Sequence, residues 1–241
     1  MADYKNKLYT VVKRGYVEKD IYEFGSKWKH KMCNAGEELF YLLNRGYDLK
    51  PASTFIGNHY LLSERQRLAL ARIVPSQSRL ESRKQRELET NAPLRQLYID
   101  GFNTIITLEV ALSGSLLLLG MDGTIRDLAG LRGTYKIVDK TAMAMELMLK
   151  RMDGQSISDA VIYLDKPVSN SGRLKALILE MEKDYNVDVQ VEVINDVDRV
   201  LYGRENVVTS DAIILDHCDS WYNLNRQIVR QDIRGAWIYA L

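Results

Sequence analysis

The sequence predicts an α/β domain with a mostly parallel sheet, preceded by a small all-helical domain. From residue 94 onward, short β-rich runs alternate with amphipathic segments of helical period, which is the pattern of a parallel sheet covered on both faces. The first 75 residues carry only the helical period. A charged segment that ends in proline, residues 76–93, lies between these two parts.

Helices are predicted in the first part by their apolar spacing and end signals. In NAGEELFYLLNRGY (34–47), leucines share one stripe and Gly46 follows as a stop. In LLSERQRLALARIVP (61–75), Ser63 and Gln66 have the spacing of a capping box, and Pro75 ends the helix. We therefore assign residues 1–75 to a helical domain, 76–93 to a charged linker or solvated helix, and 94–241 to the α/β domain.

Charge is divided unevenly between the two halves. Residues 1–93 contain 17 Lys+Arg and 11 Asp+Glu, giving +6, whereas residues 94–241 contain 16 and 21, giving −5. A basic domain attracts polyanions, although an ordinary solvated surface explains the same excess of positive charge.

Arg65 and Arg72 share one helix face and are candidate phosphate contacts, with simple hydration as the alternative. Aromatic residues are interleaved with basic ones in KWKHK (27–31), where RNA stacking and core packing of Trp28 are both open.

In the second part, strands are predicted at 96–100, 159–165, 187–194 and 206–210. Helices are predicted at 138–152 and after Gly172. Residues 115–128 read as a hairpin that turns at Asp122-Gly123, a pair typical of a type I′ turn. The Asp-Gly-Thr of this segment lacks the aspartate two positions earlier that an aspartyl phosphatase needs, because Gly120 stands there.

Three apolar strand-like runs end in an aspartate: Asp100, Asp165 and Asp211. The carboxyl ends of parallel strands meet at one edge of the sheet, so we expect these side chains to converge there. Clustered carboxylates need a compensating cation or proton, and hard oxygen ligands suit Mg²⁺ or Mn²⁺. The alternative for each aspartate is a helix cap or a turn.

Polar residues beside these aspartates are candidate substrate contacts. Asn103 lies just beyond the first strand, and Thr209 and Ser210 immediately precede Asp211. Ser169 and Asn170, before the helix that follows Gly172, suggest either a phosphate cradle or a simple helix cap. Gly101 is expected to permit a tight turn.

The segments LYIDGFN (97–103) and VVTSDAIILD (207–216) resemble the PIN-like nuclease superfamily, particularly its NYN branch. The whole chain also resembles a prokaryotic family that joins a small helical N-terminal domain to such a domain. The resemblance implies a Rossmann-like sheet and metal-dependent cleavage of RNA. It also implies that Asp100 and Asp211 are metal ligands supported by Asn103, with Asp165 in the position of a middle acidic residue. The hairpin-like insertion and the LDKPVSNSG segment depart from the usual pattern, so an inactive RNA-binding or partner-binding relative is the alternative.

Other classes of protein are disfavoured. The N-terminal MADYKNKLYT lacks an apolar signal segment, and no apolar run is long enough to span a bilayer, so we expect a cytoplasmic protein without membrane contact. Dinucleotide and Walker loops are absent. The sequence leaves homo-oligomerisation open.

Overall fold

The computed structural model of the protein describes residues 12–130 and 133–241. The helices are α1 (Asp20–Glu23), α2 (Ser26–Asn44), α3 (Leu49–His59), α4 (Glu64–Ile73), α5 (Gln77–Arg86), α6 (Gly101–Leu112), α7 (Asp139–Gly154), α8 (Ser171–Met181), α9 (Val197–Leu201), α10 (Ala212–His217) and α11 (Leu224–Gln231). The strands are β1 (Gln96–Asp100), β2 (Leu117–Leu119), β3 (Ile125–Asp127), β4 (Asp159–Asp165), β5 (Asp188–Ile194), β6 (Val207–Val208) and β7 (Ile238–Tyr239).

The main sheet has four strands in the order β5-β4-β1-β6, all parallel. Its apolar strands are buried between α6 and α7 on one side and α9 and α10 on the other, as the two separate core clusters around it indicate. The predicted α/β class with a mostly parallel sheet is confirmed. A helical region precedes this sheet, also as predicted.

A second sheet, in the order β3-β2-β7, was not predicted. The expected hairpin forms its antiparallel β2–β3 pair, and β7 adds parallel to β2. The type I′ turn is wrong, because Gly123 has a φ of +83° but Asp122 is not in the left-handed region. The turn instead spans residues 120–124, closed by the Gly120 amide donating to the Thr124 carbonyl at 2.9 Å.

The helical region packs against the second sheet through a shared apolar core. This core unites Met32, Leu39, Ile56 and Leu70 of the helices with residues of the hairpin and of β7, including Leu118 and Tyr239. The segment 76–93 contains α5, and its residues Leu80 and Arg83 are buried. The helix alternative is therefore correct for residues 77–86, but this helix packs at the junction through Leu80 and Arg83, which the prediction of a solvated helix did not include.

Local signals account for the helix boundaries in the first part. Ser63 and Gln66 form the predicted capping box of α4, and Gly46 follows α2 with a φ of +86°. No helix of the described residues is both long enough and apolar enough to cross a bilayer. The prediction about the N-terminal decapeptide lies outside the described residues.

Candidate functional site

The strand order creates a crevice at the carboxyl ends of β1 and β6. The chain passes from β1 to β4 and β5 on one side, and then returns to place β6 on the other side of β1. In open parallel sheets, ligands bind at the point where the strand order reverses in this way. Asp100 ends β1, and residues 209–211 follow β6, so both predicted segments lie at this crevice.

Asp100 is the most buried of the predicted aspartates, with 7% of its surface exposed. It occupies the N-cap position of α6, yet its side chain makes no capping hydrogen bond, so the cap alternative is wrong for this residue. Its Oδ2 accepts a hydrogen bond from the Thr209 hydroxyl at 2.8 Å. Burial raises the pKa of Asp100 to about 7, and the carboxylates of Asp211 and Asp165 add to the increase.

Asn103, Thr209 and Ser210 join β1 to β6. The Asn103 Oδ1 accepts from the Ser210 amide at 2.8 Å and from its hydroxyl at 2.9 Å. Thr209 Oγ1 accepts from the Asp211 amide at 3.0 Å and gives its one proton to Asp100. The structure thus brings these three predicted substrate contacts to the crevice, where their hydrogen bonds fix the positions of Asp100 and Asp211.

Asp211 has the role of a helix cap. Its Oδ1 accepts from the amides of Ile213 at 2.7 Å and Ile214 at 3.3 Å at the start of α10. The cap alternative is therefore correct for Asp211. Among the described residues, none donates a hydrogen bond to its second carboxylate oxygen, so the side chain can cap the helix and still present one oxygen to the crevice.

Asp165 and two further aspartates complete the acidic edge. Asp165 ends β4 and is half-buried, and burial raises its pKa. Asp198 in α9 was not predicted; burial raises its pKa, and Asp211 and Asp165 raise it further. Asp196 caps α9. For the other strands, we looked for an acidic residue after an apolar run. The same rule would have found Asp196, which follows β5 in the sequence.

The expected three-ligand metal set is not preformed. Within residues 12–130 and 133–241, no three His, Cys, Asp or Glu side chains are grouped closely enough to hold one ion. Mg²⁺ usually keeps several waters and takes only one or two carboxylates from the protein. The buried carboxylate of Asp100, with its raised pKa and its carboxylate neighbours, fits this partly hydrated mode of Mg²⁺ binding. It does not fit a site in which the protein supplies every ligand.

A buried ion-pair network behind Asp211 was missed by sequence reasoning. Asp122, in the hairpin turn, pairs with Arg126 at 2.6 Å and with Arg83 of α5 at 2.7 Å. Burial alone would raise the pKa of Asp122. The two guanidinium groups have the larger effect and hold this pKa far below its ordinary range. All three side chains are at least nine-tenths buried.

This network forms hydrogen bonds with the backbone on both sides of Asp211. The Nε of Arg126 donates to the carbonyl of Ser210 at 2.8 Å. Arg83 donates to the carbonyl of Ala212 at 3.1 Å and to the carboxylate of Asp216 at 2.7 Å. The helical region and the hairpin therefore set the position of one edge of the crevice.

The remaining predicted contacts are occupied by internal bonds. Ser169 and Asn170 hold the carbonyl of Tyr135 at 3.0 and 2.7 Å, and Asn170 makes no side-chain cap for α8. Arg65 pairs with buried Asp20, and Arg72 donates to the Asp127 carbonyl. The structure gives these four residues internal partners. Their contacts are therefore neither those of a phosphate cradle nor those of hydrated arginines.

Gly101 has a different role from the one predicted. A Cβ at this position would lie 2.7 Å from the Tyr163 carbonyl oxygen and 2.7 Å from a methyl group of Leu164. Its φ is not positive, so no unusual turn is needed. The glycine instead lets the start of α6 approach β4, which places Asp100 deep in the crevice.

Comparisons with known proteins match both parts of the chain. Residues 90–227 match the family described as a domain of unknown function (DUF5616), and residues 31–86 match a protein of unknown function (DUF434). An uncharacterized protein of Methanocaldococcus jannaschii is 37% identical over 183 residues, which are 75% of this chain and 87% of the relative. No solved structure matches the chain. The chain belongs to the DUF5616 family, with a DUF434 region before that domain.

Proposed function

We propose that this protein is a divalent-metal-dependent nuclease of the PIN-like superfamily, NYN branch, that cleaves RNA. The observation that carries the proposal is the buried Asp100 at the strand-order reversal, with the carboxylates of Asp165, Asp198 and Asp211 close enough to raise its pKa. A folded protein rarely gathers carboxylates around a buried one unless a cation or proton balances their charge.

Mg²⁺ or Mn²⁺ would be held by Asp100 together with a neighbouring carboxylate, of which Asp211 is the best fixed. When bound, such an ion lowers the pKa of an attacking water and neutralises charge on a phosphodiester. The chain's own residues hold the geometry: Thr209 orients one oxygen of Asp100, and the α10 cap orients Asp211. Asn103 keeps the two segments together.

A second candidate is a noncatalytic relative that binds RNA or a partner. It is favoured by one observation, that three metal-ligating side chains are not grouped together in the described parts of the chain. This candidate predicts RNA affinity that falls steeply with salt and survives Asp100→Asn.

The test compares wild type with Asp100→Asn and with Asp188→Asn, an exposed aspartate at the start of β5 that serves as the matched control. Each protein is incubated with single-stranded and structured RNA in Mn²⁺, Mg²⁺ or EDTA, after circular dichroism has established equal folding. Metal-dependent cleavage by wild type and the control, lost in Asp100→Asn, supports the nuclease. Cleavage that persists in Asp100→Asn contradicts the assigned site. Intact RNA binding without cleavage selects the second candidate.

A further inference from the structure

Lysines and at least partly exposed aromatic rings occur together on the surface of α1 and α2. Tyr22 is 55% exposed, and its ring meets the half-buried Trp28 edge to face, with 6.3 Å between the centroids. Lys27 Nζ lies 5.4 Å from the centre of the Tyr22 ring, and Lys31 Nζ lies 4.9 Å from that of Trp28. We call Tyr22, Lys27, Trp28 and Lys31 the basic aromatic patch.

Both lysines of this patch lack an acidic partner. Within residues 12–130 and 133–241, no carboxylate is within ion-pair distance of Lys27 or Lys31. The neighbouring Lys29 differs, because it donates to the Ala240 carbonyl and lies over the Tyr239 ring. Lys27 and Lys31 are one helical turn apart and share a face, so their charges add at one place on the surface.

Periodicity along α2 explains why the ring of Trp28 is only partly buried. The buried stripe of this helix consists of Met32, Ala35, Gly36 and Leu39. Trp28 stands one turn before Met32, at the end of the stripe, so it packs only partly against the helical core. Tyr22 precedes the helix and lies outside that core. Within residues 12–130 and 133–241, the ring of Tyr22 and part of the ring of Trp28 are therefore left uncovered.

We propose that the basic aromatic patch binds single-stranded RNA, with bases stacking on Tyr22 and Trp28 and phosphates held by Lys27 and Lys31. Rings with adjacent cations suit a polyanion that exposes π-faces, and a single strand exposes them whereas a duplex does not. The excess of +6 over residues 1–93 attracts the same ligand. The inference rests on the proposed function only for the choice of RNA as the polynucleotide.

The lysines now lying against the rings do not prevent stacking. An exposed cation–π contact is worth roughly a two- to five-fold change in an equilibrium constant. Stacking of a base on an aromatic side chain is worth roughly 5- to 150-fold. A base can therefore displace each ammonium group toward a phosphate. By contrast, the predicted phosphate contacts Arg65 and Arg72 are bound to internal partners. They are therefore not available to bind RNA phosphates.

Binding is measured by fluorescence anisotropy with a labelled 12-nucleotide single-stranded RNA in EDTA, so that no cleavage occurs. The variants are Tyr22→Ala and the double variant Lys27→Gln/Lys31→Gln. The control is Phe55→Ala on α3, whose side chain is 64% exposed. Since Tyr22 and Phe55 are both exposed, neither truncation removes core packing. The corresponding RNA duplex and heparin are measured with each protein.

We expect Tyr22→Ala to weaken binding of the single strand by roughly 5- to 150-fold, and Phe55→Ala to leave it unchanged. The double lysine variant should reduce the slope of log K against log salt by about 1.4, since each phosphate contact on a single strand contributes about 0.7. Trp28→Phe should remove a quenching of tryptophan fluorescence that RNA produces in wild type.

The proposal is overturned if wild type has no RNA affinity, in which case a partner protein is the better occupant. It is also overturned if the Tyr22 and lysine variants bind like wild type, or if heparin and duplex bind as tightly as the single strand. Cleavage is scored separately with Asp100→Asn. If RNA binding depends on the patch but wild type shows no metal-dependent cleavage, the patch is supported and the nuclease proposal is contradicted. If wild type cleaves RNA but the patch variants bind it as wild type does, the nuclease proposal is supported and the patch is contradicted.

Discussion

Replacing Asp100 by asparagine should stabilise the protein at alkaline pH. The folded chain holds this carboxyl with a pKa of about 7, against 3.8 as its ordinary value, because burial and the carboxylates of Asp211, Asp165 and Asp198 disfavour the charged form. Between about pH 4 and pH 7 the folded protein therefore keeps a proton that the unfolded chain has released. The free energy of unfolding falls as the pH rises through this range.

The magnitude follows from the two pKa values. At 1.36 kcal/mol for each pKa unit, ionising Asp100 in the folded protein costs roughly 4 kcal/mol by pH 8. Asparagine is nearly the same size, has no charge and still offers an oxygen to the Thr209 hydroxyl. Asp100→Asn should remove this cost at pH 8 and change stability little at pH 4, where the wild-type carboxyl is already protonated in the folded state.

The assay is urea denaturation of both proteins in EDTA from pH 4 to pH 8, followed by circular dichroism. Asp188→Asn is the control and should reproduce the wild-type profile, because Asp188 is exposed. A stability difference between Asp100→Asn and wild type that is the same at pH 4 and pH 8 would refute the reasoning, since it would show that Asp100 ionises normally. Adding Mg²⁺ at pH 8 should stabilise wild type more than the variant if the crevice binds the ion.

Three further changes test the packing around the site by the same denaturation assay. Arg126→Met should lower the free energy of unfolding by about 3–5 kcal/mol, because Asp122 would lose a buried partner; an effect under about 1 kcal/mol would mean that Arg83 alone suffices. Gly101→Ala should cost about 1–3 kcal/mol, because a methyl group there meets a β4 carbonyl, and wild-type stability would contradict that contact. Ser63→Ala should cost about 1 kcal/mol through loss of the α4 cap, and an unchanged midpoint would show that the cap contributes nothing.

The parts of the fold that sequence reasoning predicted depend on local patterns. The strands β1 and β4 and the helices α7 and α8 were found because their apolar spacing and end signals lie within a short stretch of chain. The convergence of Asp100 and Asp211 was also predictable, since the edge at which a parallel strand ends is fixed by its direction. These inferences need no knowledge of which distant residues meet.

The features that were missed depend on distant partners. β7 is two residues long and has no periodicity of its own, and it forms by pairing with β2. Arg83 is buried because Asp122 and Asp216 meet it, at separations of 39 and 133 residues. A charged segment such as 76–93 looks solvated until those carboxylates are known. The same limitation made Arg65 appear available, although it pairs with Asp20.

The pairing of β2 with β7 has a consequence for how the chain folds as it is synthesised. Tyr239 contributes to the apolar core of α2, α3 and α4, and β7 follows all the other described elements along the chain, so it leaves the ribosome after them. These helices are made long before β7 and cannot complete their core until its residues arrive, and contacts between such distant segments slow folding. During translation, the helical region should therefore expose apolar surface that chaperones recognise, and cleavage of the chain just before β7 should leave that surface open.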